Sequence, residues 1–183
     1  MDLLTAIERR ASALKLTDPG PTRAHLEQIM RAGVRAPDHG RLRPWRFVVL
    51  EGAAREKLGG EMARLSLAKF PQSKPEQLDG ERRKALRAPT IIVVAARITR
   101  GKIPEVEQIS AVAAGVENMV LAAQALGYGA MWKTGAAAYD AQAKTTLGLS
   151  AEDHVVSFLY LGTTVLAGTA TPPSLDGVVT WMK

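Results

Sequence analysis

Three segments of the chain bring together residue types that can bind a charged or planar ligand. The first, Glu8-Arg9-Arg10-Ala11-Ser12, puts two guanidiniums at the end of a helical stripe. Guanidinium forks there suit bidentate contacts with phosphate oxygens. The second runs Arg35-Ala-Pro-Asp-His39-Gly-Arg-Leu-Arg-Pro44-Trp45, with Arg35 just before a proline that stops a helix and His39 in a loop where it can face a ligand. The third, GYGAMWKTG at 127–135, offers G-x-G, but Trp132 stands in the place of the third glycine. It also follows a helix and leads into a strand, the reverse of a dinucleotide-binding fingerprint. On spacing alone, the same residues also suit solvated arginines, a structural histidine and a core tryptophan.

Other chemistries find little support. There is no cysteine, which excludes disulfides, thiolate metal sites and thiol catalysis, and the three histidines at 25, 39 and 154 lack metal-ligand spacing, so no metal is expected. No P-loop and no G-x-S-x-G elbow occurs, and no motif supports a Ser/His/Asp set or a carboxylate pair. The chain has 183 residues, 46% hydrophobic and 23% charged, with a net charge of +6. The charge is unevenly spread. Up to residue 102 there are 21 Lys/Arg against 11 Asp/Glu, a balance of +10; from 103 onward there are 3 against 7, a balance of −4. A basic first half suits a polyanion, either nucleic acid or a phosphorylated cofactor. Few aromatic residues and scattered arginines speak against a nucleic-acid partner. Residues 3–14 carry Glu8, Arg9 and Arg10, which no secretory leader tolerates, and the apolar stretch 109–126 contains Glu117, Asn118 and Gln124, which lipid would penalise. A cytoplasmic location with no membrane partner is the expectation.

The elements that must position these residues follow from periodicity. Helical stripes cover 3–12, 23–34, 53–70, 81–87, 105–126 and 140–147, with Thr22 and Asp140 as helix caps. Strands are expected at 45–52, at 90–98 (buried on both faces), at 130–133 and at 154–162, with 178–181 as an edge strand. The turn 17–22, the loop 38–44, a mobile polar connection at 71–80 and a basic loop at 99–104 join them. The helix after residue 105, apolar almost all round, is expected to be buried all round, against a sheet or a partner subunit. No repeat and no long linker divides the chain, so one domain over 1–183 is expected.

Taken together, the amino-terminal helix ending RRAS, the segment RAPDHGRLRPWRFVVLEG, VEQ at 106–108, and GYGAMWKTG ahead of FLYLG resemble the FMN-dependent nitroreductase family. The likeness is to its short bacterial YdjA-like branch of NAD(P)H nitroreductases, over residues 1 to about 165. That resemblance implies an α+β fold with a mostly antiparallel central sheet flanked by helices, one domain per subunit of a homodimer. It implies FMN as cofactor, NAD(P)H as electron donor, and a nitroaromatic, quinone or related small molecule as acceptor in a ping-pong reaction. By the same resemblance Arg9, Arg10 and Ala11 contact FMN, the arginines near its phosphate or ribityl chain. Arg35 and His39 reach FMN from the neighbouring subunit, and Trp132, Lys133 and Thr134 lie along the isoalloxazine, a backbone N–H near N5. No residue is assigned as a catalytic acid or base, since the cofactor carries the hydride chemistry. Departures from the family pattern are Ala11 for serine, Arg43 for the glutamine of Q-P-W, and Arg41 where many relatives carry asparagine. Two alternatives remain at this point, a flavin protein or dehydrogenase of the same fold without nitroreductase activity, and a basic nucleic-acid-binding protein.

Overall fold

The computed structural model describes residues 2–171 and 173–183. In chain order the elements are α1 (Leu3–Arg9), β1 (Lys15–Thr17), α2 (Arg23–Gly33), β2 (Trp45–Glu51), α3 (Ala54–Lys69), α4 (Pro75–Lys84), β3 (Thr90–Ala96), α5 (Glu105–Ala125), β4 (Gly129–Lys133), α6 (Ala141–Thr146) and β5 (His154–Leu166). The run TIIVVAA in β3 has no charged side chain and all seven residues are buried, which only an interior strand permits. It pairs antiparallel with β2 on one side and β5 on the other. β5 also takes β4 as an antiparallel neighbour, Gly129 opposite Gly162 and Lys133 opposite Phe158, and its end pairs with β1. The expected antiparallel α+β architecture is the one observed.

Alternate residues of β3 face opposite ways. Ile91, Val93 and Ala95 join Leu58 of α3, Ala143 of α6 and Phe158 in one core cluster. Ile92, Val94 and Ala96 join Leu26 and Ile29 of α2 and Val112, Val116 and Met119 of α5 in the other. Both expected caps form: Thr22 Oγ1 accepts from the His25 amide at 3.3 Å and Asp140 Oδ1 from the Ala143 amide at 2.8 Å.

Several expectations are corrected. Helix α1 stops at Arg9 instead of running to 12, because the Ala13 amide donates to Ala130 O and draws the chain into the sheet. Part of the supposed mobile connection is helical. Pro75 takes the first helical position, where its missing N–H costs nothing, and the Lys74 amide donates to Gln77 Oε1 at 2.8 Å. The last strand extends past 162 to Leu166, which gives β1 its partner, while residues 178–181 form no strand and are exposed. Helix α5 is buried on one side only: Gln108, Ala111, Val112, Gly115, Val116, Met119, Val120 and Ala123 recur at helical spacing, and Glu117 lies on the opposite, open side.

The α2–α5 crossing rests on glycine. A β-carbon on Gly115 would stand 2.7 Å from the Gly33 carbonyl and 3.0 Å from Trp45 Nε1. Backbone cannot retreat as a flexible side chain can, so Gly115→Ala is expected to destabilise the protein by about 1–3 kcal/mol despite alanine's better helix propensity. A urea midpoint that does not fall would contradict so close a crossing.

Tyr160, buried in β5, has its hydroxyl pushed up to about 12 by burial, with Arg87 opposing. The folded state therefore keeps this proton longer than the unfolded chain does. Stability from the neutral phenol is fully present below about pH 10 and is lost as pH rises toward 12, by up to about 2 kcal/mol. Tyr160→Phe should remove that share of the alkaline loss, read as the difference between the two proteins' urea stabilities at pH 9 and pH 11.5.

Candidate cofactor-binding site

The two arginines at the end of α1 part company. Arg9 lines a cavity of about 180 Å³ with Ala11, Gln124, Tyr128, Gly129, Thr164 and Gly168. Arg10 instead approaches Glu117 of α5, Nε to Oε1 at 3.6 Å. This chain end is fixed by main-chain bonds, Ala13 N–H to Ala130 O at 2.9 Å and Leu14 N–H to Leu166 O at 2.8 Å. Among the described residues Arg9 has no carboxylate partner at the start of β4, and its neighbour is already held by one.

At the other end of β4, Trp132, Lys133 and Thr134 are all exposed. Trp132 is no core residue: its indole N–H donates to Val156 O at 3.0 Å, which pins the ring at the surface. Thr134 borders two cavities. One, of about 270 Å³, is walled by Met62, Leu65, Phe70 and Phe158, with Lys69 at its margin; the other, of about 280 Å³, by Ile109, Tyr139, Lys144 and His154. Between them Gly135 adopts φ 136°, and nothing lies within 4 Å of where its β-carbon would be. Among the described residues no turn or loop hydrogen bond engages the Thr134 or Gly135 amides. A flat ring can therefore approach this backbone closely. The strand between the two ends spans roughly 13 Å at its usual rise.

The third group sits at the head of α5. His39 Nδ1 lies 2.6 Å from Glu107 Oε2, so the imidazole's other nitrogen is left for an outside partner. Asp38 organises the loop twice, its carbonyl accepting from the Arg41 amide at 3.2 Å and its Oδ2 from the Arg43 amide at 2.8 Å. Those bonds hold Arg41 and Arg43 at φ 54° and 53°, left-handed conformations that cost a residue with a β-carbon about 1–2 kcal/mol each. Glu107 and Glu117 are ten residues apart on α5, roughly 15 Å at the helical rise. His39 thus sits well along α5 from the Glu117 that holds Arg10, and Arg35 lines a different cavity from Arg9 and Ala11.

Sequence reading missed the residues that orient these groups. Glu107 and Glu117 are the carboxylates facing His39 and Arg10. Gln108, the other polar residue of VEQ, is buried; it accepts from the Thr99 amide and donates to Thr99 O and Ile103 O, tying the basic loop to α5. VEQ was a recognisable signal, but which of its residues served which loop was not. Among the described residues no group of three or more His, Asp or Glu converges as a metal site, and no helix is long and apolar enough to cross a membrane.

The molecule is an antiparallel sheet covered by helices on both faces, with an arginine-lined cavity at one end of an edge strand and open glycine backbone at the other. That arrangement places the molecule in the α+β class. The chain belongs to the nitroreductase family, whose model matches residues 7–163. It is 37% identical over 172 residues to the Escherichia coli K12 protein named "Putative NAD(P)H nitroreductase YdjA", covering 93% of each chain. Among solved structures it is similar to a nitroreductase-like family protein from Bacillus cereus (TM-score 0.84, 22% identity, 100% and 97% of the two chains). It is also similar to a nitroreductase with bound FMN from Bacteroides fragilis (TM-score 0.74, 20% identity, 100% of both).

The two carboxylates of the third group should differ in worth. Glu107 and His39 are both exposed, so Glu107→Gln should change the stability measured in urea by less than about 0.5 kcal/mol. Asp38→Ala strips the Arg43 amide of its acceptor while the Asp38 carbonyl still accepts from the Arg41 amide, and should cost about 1–2 kcal/mol. Equal effects in chemical denaturation would show that Asp38 does not hold the loop.

Proposed function

We propose that the protein is an FMN-dependent oxidoreductase that uses NAD(P)H to reduce nitroaromatic, quinone or related small acceptors. The observation that carries this reading is the pairing of Arg9's cavity with the open Thr134–Gly135 backbone at opposite ends of β4. Family membership and relatives named as NAD(P)H nitroreductases support it. The residues present fit the cofactor. Arg9 would hold the phosphate or ribityl chain, with Arg10 kept beside it by Glu117; Ala11, lacking a hydroxyl, would offer backbone only. Trp132, Lys133 and Thr134 would lie along the isoalloxazine, with a backbone N–H of this segment near N5.

Held by Arg9 and the Trp132–Thr134 segment, FMN would supply the redox chemistry, hydride exchange with NAD(P)H and electron transfer to the acceptor in alternating half-reactions. The chain's share is orientation, electrostatics and exclusion of water. The Met62, Leu65, Phe70 and Phe158 wall gives an apolar acceptor a dry surface beside Thr134. Trp132, immobilised through Val156 O, keeps its ring in one plane at the site's edge. No side chain is required as acid or base.

The functional unit in this reading is a homodimer of single-domain subunits, Arg35 and His39 completing the site of the second copy. Its support is the separation of these residues from Arg9 in one chain, together with the open side of α5. Exposed apolar residues on α1 and the tail, Leu3, Leu4, Leu175, Val178 and Trp181 among them, add to it.

Purified protein should be yellow and show a flavin spectrum. Arg9→Ala should weaken FMN binding by about one to two orders of magnitude, and adding Arg10→Ala should add less, since Arg10 already has a carboxylate. Unchanged affinity in a folded Arg9→Ala/Arg10→Ala protein would overturn the assignment. NAD(P)H oxidation with several nitroaromatics and quinones separates this activity from that of a flavin protein which reduces none of them. In sedimentation, the FMN-bound protein should be dimeric at micromolar concentration and the FMN-free protein should dissociate or unfold more readily. A stable FMN-bound monomer would remove the dimeric site.

A further inference from the structure

The loop between α2 and β2 carries more positive charge than its fold requires. Arg35, Arg41 and Arg43 line one open cavity of about 320 Å³, together with Asp38 and Trp45. Among the described residues none of these three guanidiniums forms an ion pair, whereas other arginines of the chain, such as Arg10, Arg64 and Arg97, do. Asp38, the one carboxylate lining the cavity, already spends an oxygen on the Arg43 amide. Two of the cations stand at left-handed positions that glycine would occupy without strain. Such strain persists where the surroundings enforce it, and it gathers at ligand clamps. Here it brings like charges to a single opening, where they repel one another until an anion arrives.

Three planar forks around one opening suit a phosphate monoester, whose two negative charges and three terminal oxygens exceed what a carboxylate or a phosphodiester presents. We infer that Arg41 and Arg43, beside the Arg35 that the proposed function gives to the flavin, form a phosphate-monoester site that takes the 2′-phosphate of NADPH, so that the protein selects NADPH over NADH. The inference rests on the flavin reading in one respect: Arg35 and His39 place this loop beside the flavin that the donor must reach. The 2′-phosphate is the sole chemical difference between the two donors. FMN carries a phosphate monoester of its own, so the test must separate the two sources.

The test is titration calorimetry of the full-length protein with NADP⁺, NAD⁺ and FMN, repeated on Arg41→Gly/Arg43→Gly. Glycine retains the left-handed backbone, so the loop is not refolded by the change. NADP⁺ should bind at least about tenfold tighter than NAD⁺, and the preference should shrink with added salt. The double variant should lose about ten- to a hundredfold in NADP⁺ affinity, bringing it down to the level of NAD⁺. Arg41→Lys/Arg43→Lys, which keeps charge without the fork, should fall between. Equal binding of NADP⁺ and NAD⁺ by the natural protein overturns the inference, as does a preference that survives in the glycine variant. A glycine variant that loses FMN affinity while keeping its NADP⁺ preference assigns the arginines to the flavin phosphate and likewise overturns it. If the protein binds no FMN and oxidises neither donor, the flavin reading fails. The NADP⁺/NAD⁺ comparison, which needs no turnover, still decides this site.

Discussion

Strand β5 is the constraint on which the rest of the molecule depends. Its 13 residues must find main-chain partners on β3, β4 and β1. Interior N–H and C=O groups cannot be left unpaired, so these three registers are fixed together. Pairing with β4 lays Gly129 to Lys133 along β5, and pairing with β1 draws the end of α1 to the same edge. A β-carbon on Gly162 would meet Thr17 O at 2.9 Å and Pro89 Cδ at 2.7 Å, and one on Gly129 would collide with Thr164 and Leu16. The cationic end of α1 and the exposed WKT segment therefore occupy two ends of one strand because the sheet closes tightly between them.

Helix α5 works as a ruler for the same site. Its buried side anchors it to the sheet and α2, and its other side presents Glu107 and Glu117 to the basic loops of the first half of the chain. The opposite charges of the two halves are thus partly matched within the fold, as Arg64 with Asp140 and Arg97 with Asp153 also show. The exposed pairs, Arg10 with Glu117 and His39 with Glu107, add little stability. Their effect is directional. They leave Arg9 toward its cavity, hold Arg10 aside and turn one nitrogen of His39 inward.

The loop 35–45 differs from these because, among the described residues, its arginines have no such match. The fold spends backbone strain there and compensates through Asp38, whose two hydrogen bonds keep the segment ordered. This ordered, charged segment includes residues that the family resemblance assigns to the flavin.

By itself the sequence determined what local periodicity and composition encode: the buried character of β3, the caps at Thr22 and Asp140, most helix limits and, through RRAS, RAPDHG and WKTG, the family and its α+β fold. Two short or masked signals escaped it. Three residues of β1 carry no pattern of their own, and the polar run 71–80 reads as a connection although Pro75 opens the first turn of α4. Tertiary structure alone decided that Arg9 and not Arg10 faces the cavity, that His39 meets Glu107 across 68 residues of chain, and that Gln108 is a buried clasp. It also decided that 178–181 stays out of the sheet and that Arg41 and Arg43 share one opening. The reason is physical: a side chain's partner depends on how sheet and helices pack at long range, and residue type and spacing specify the elements, not the distances between them.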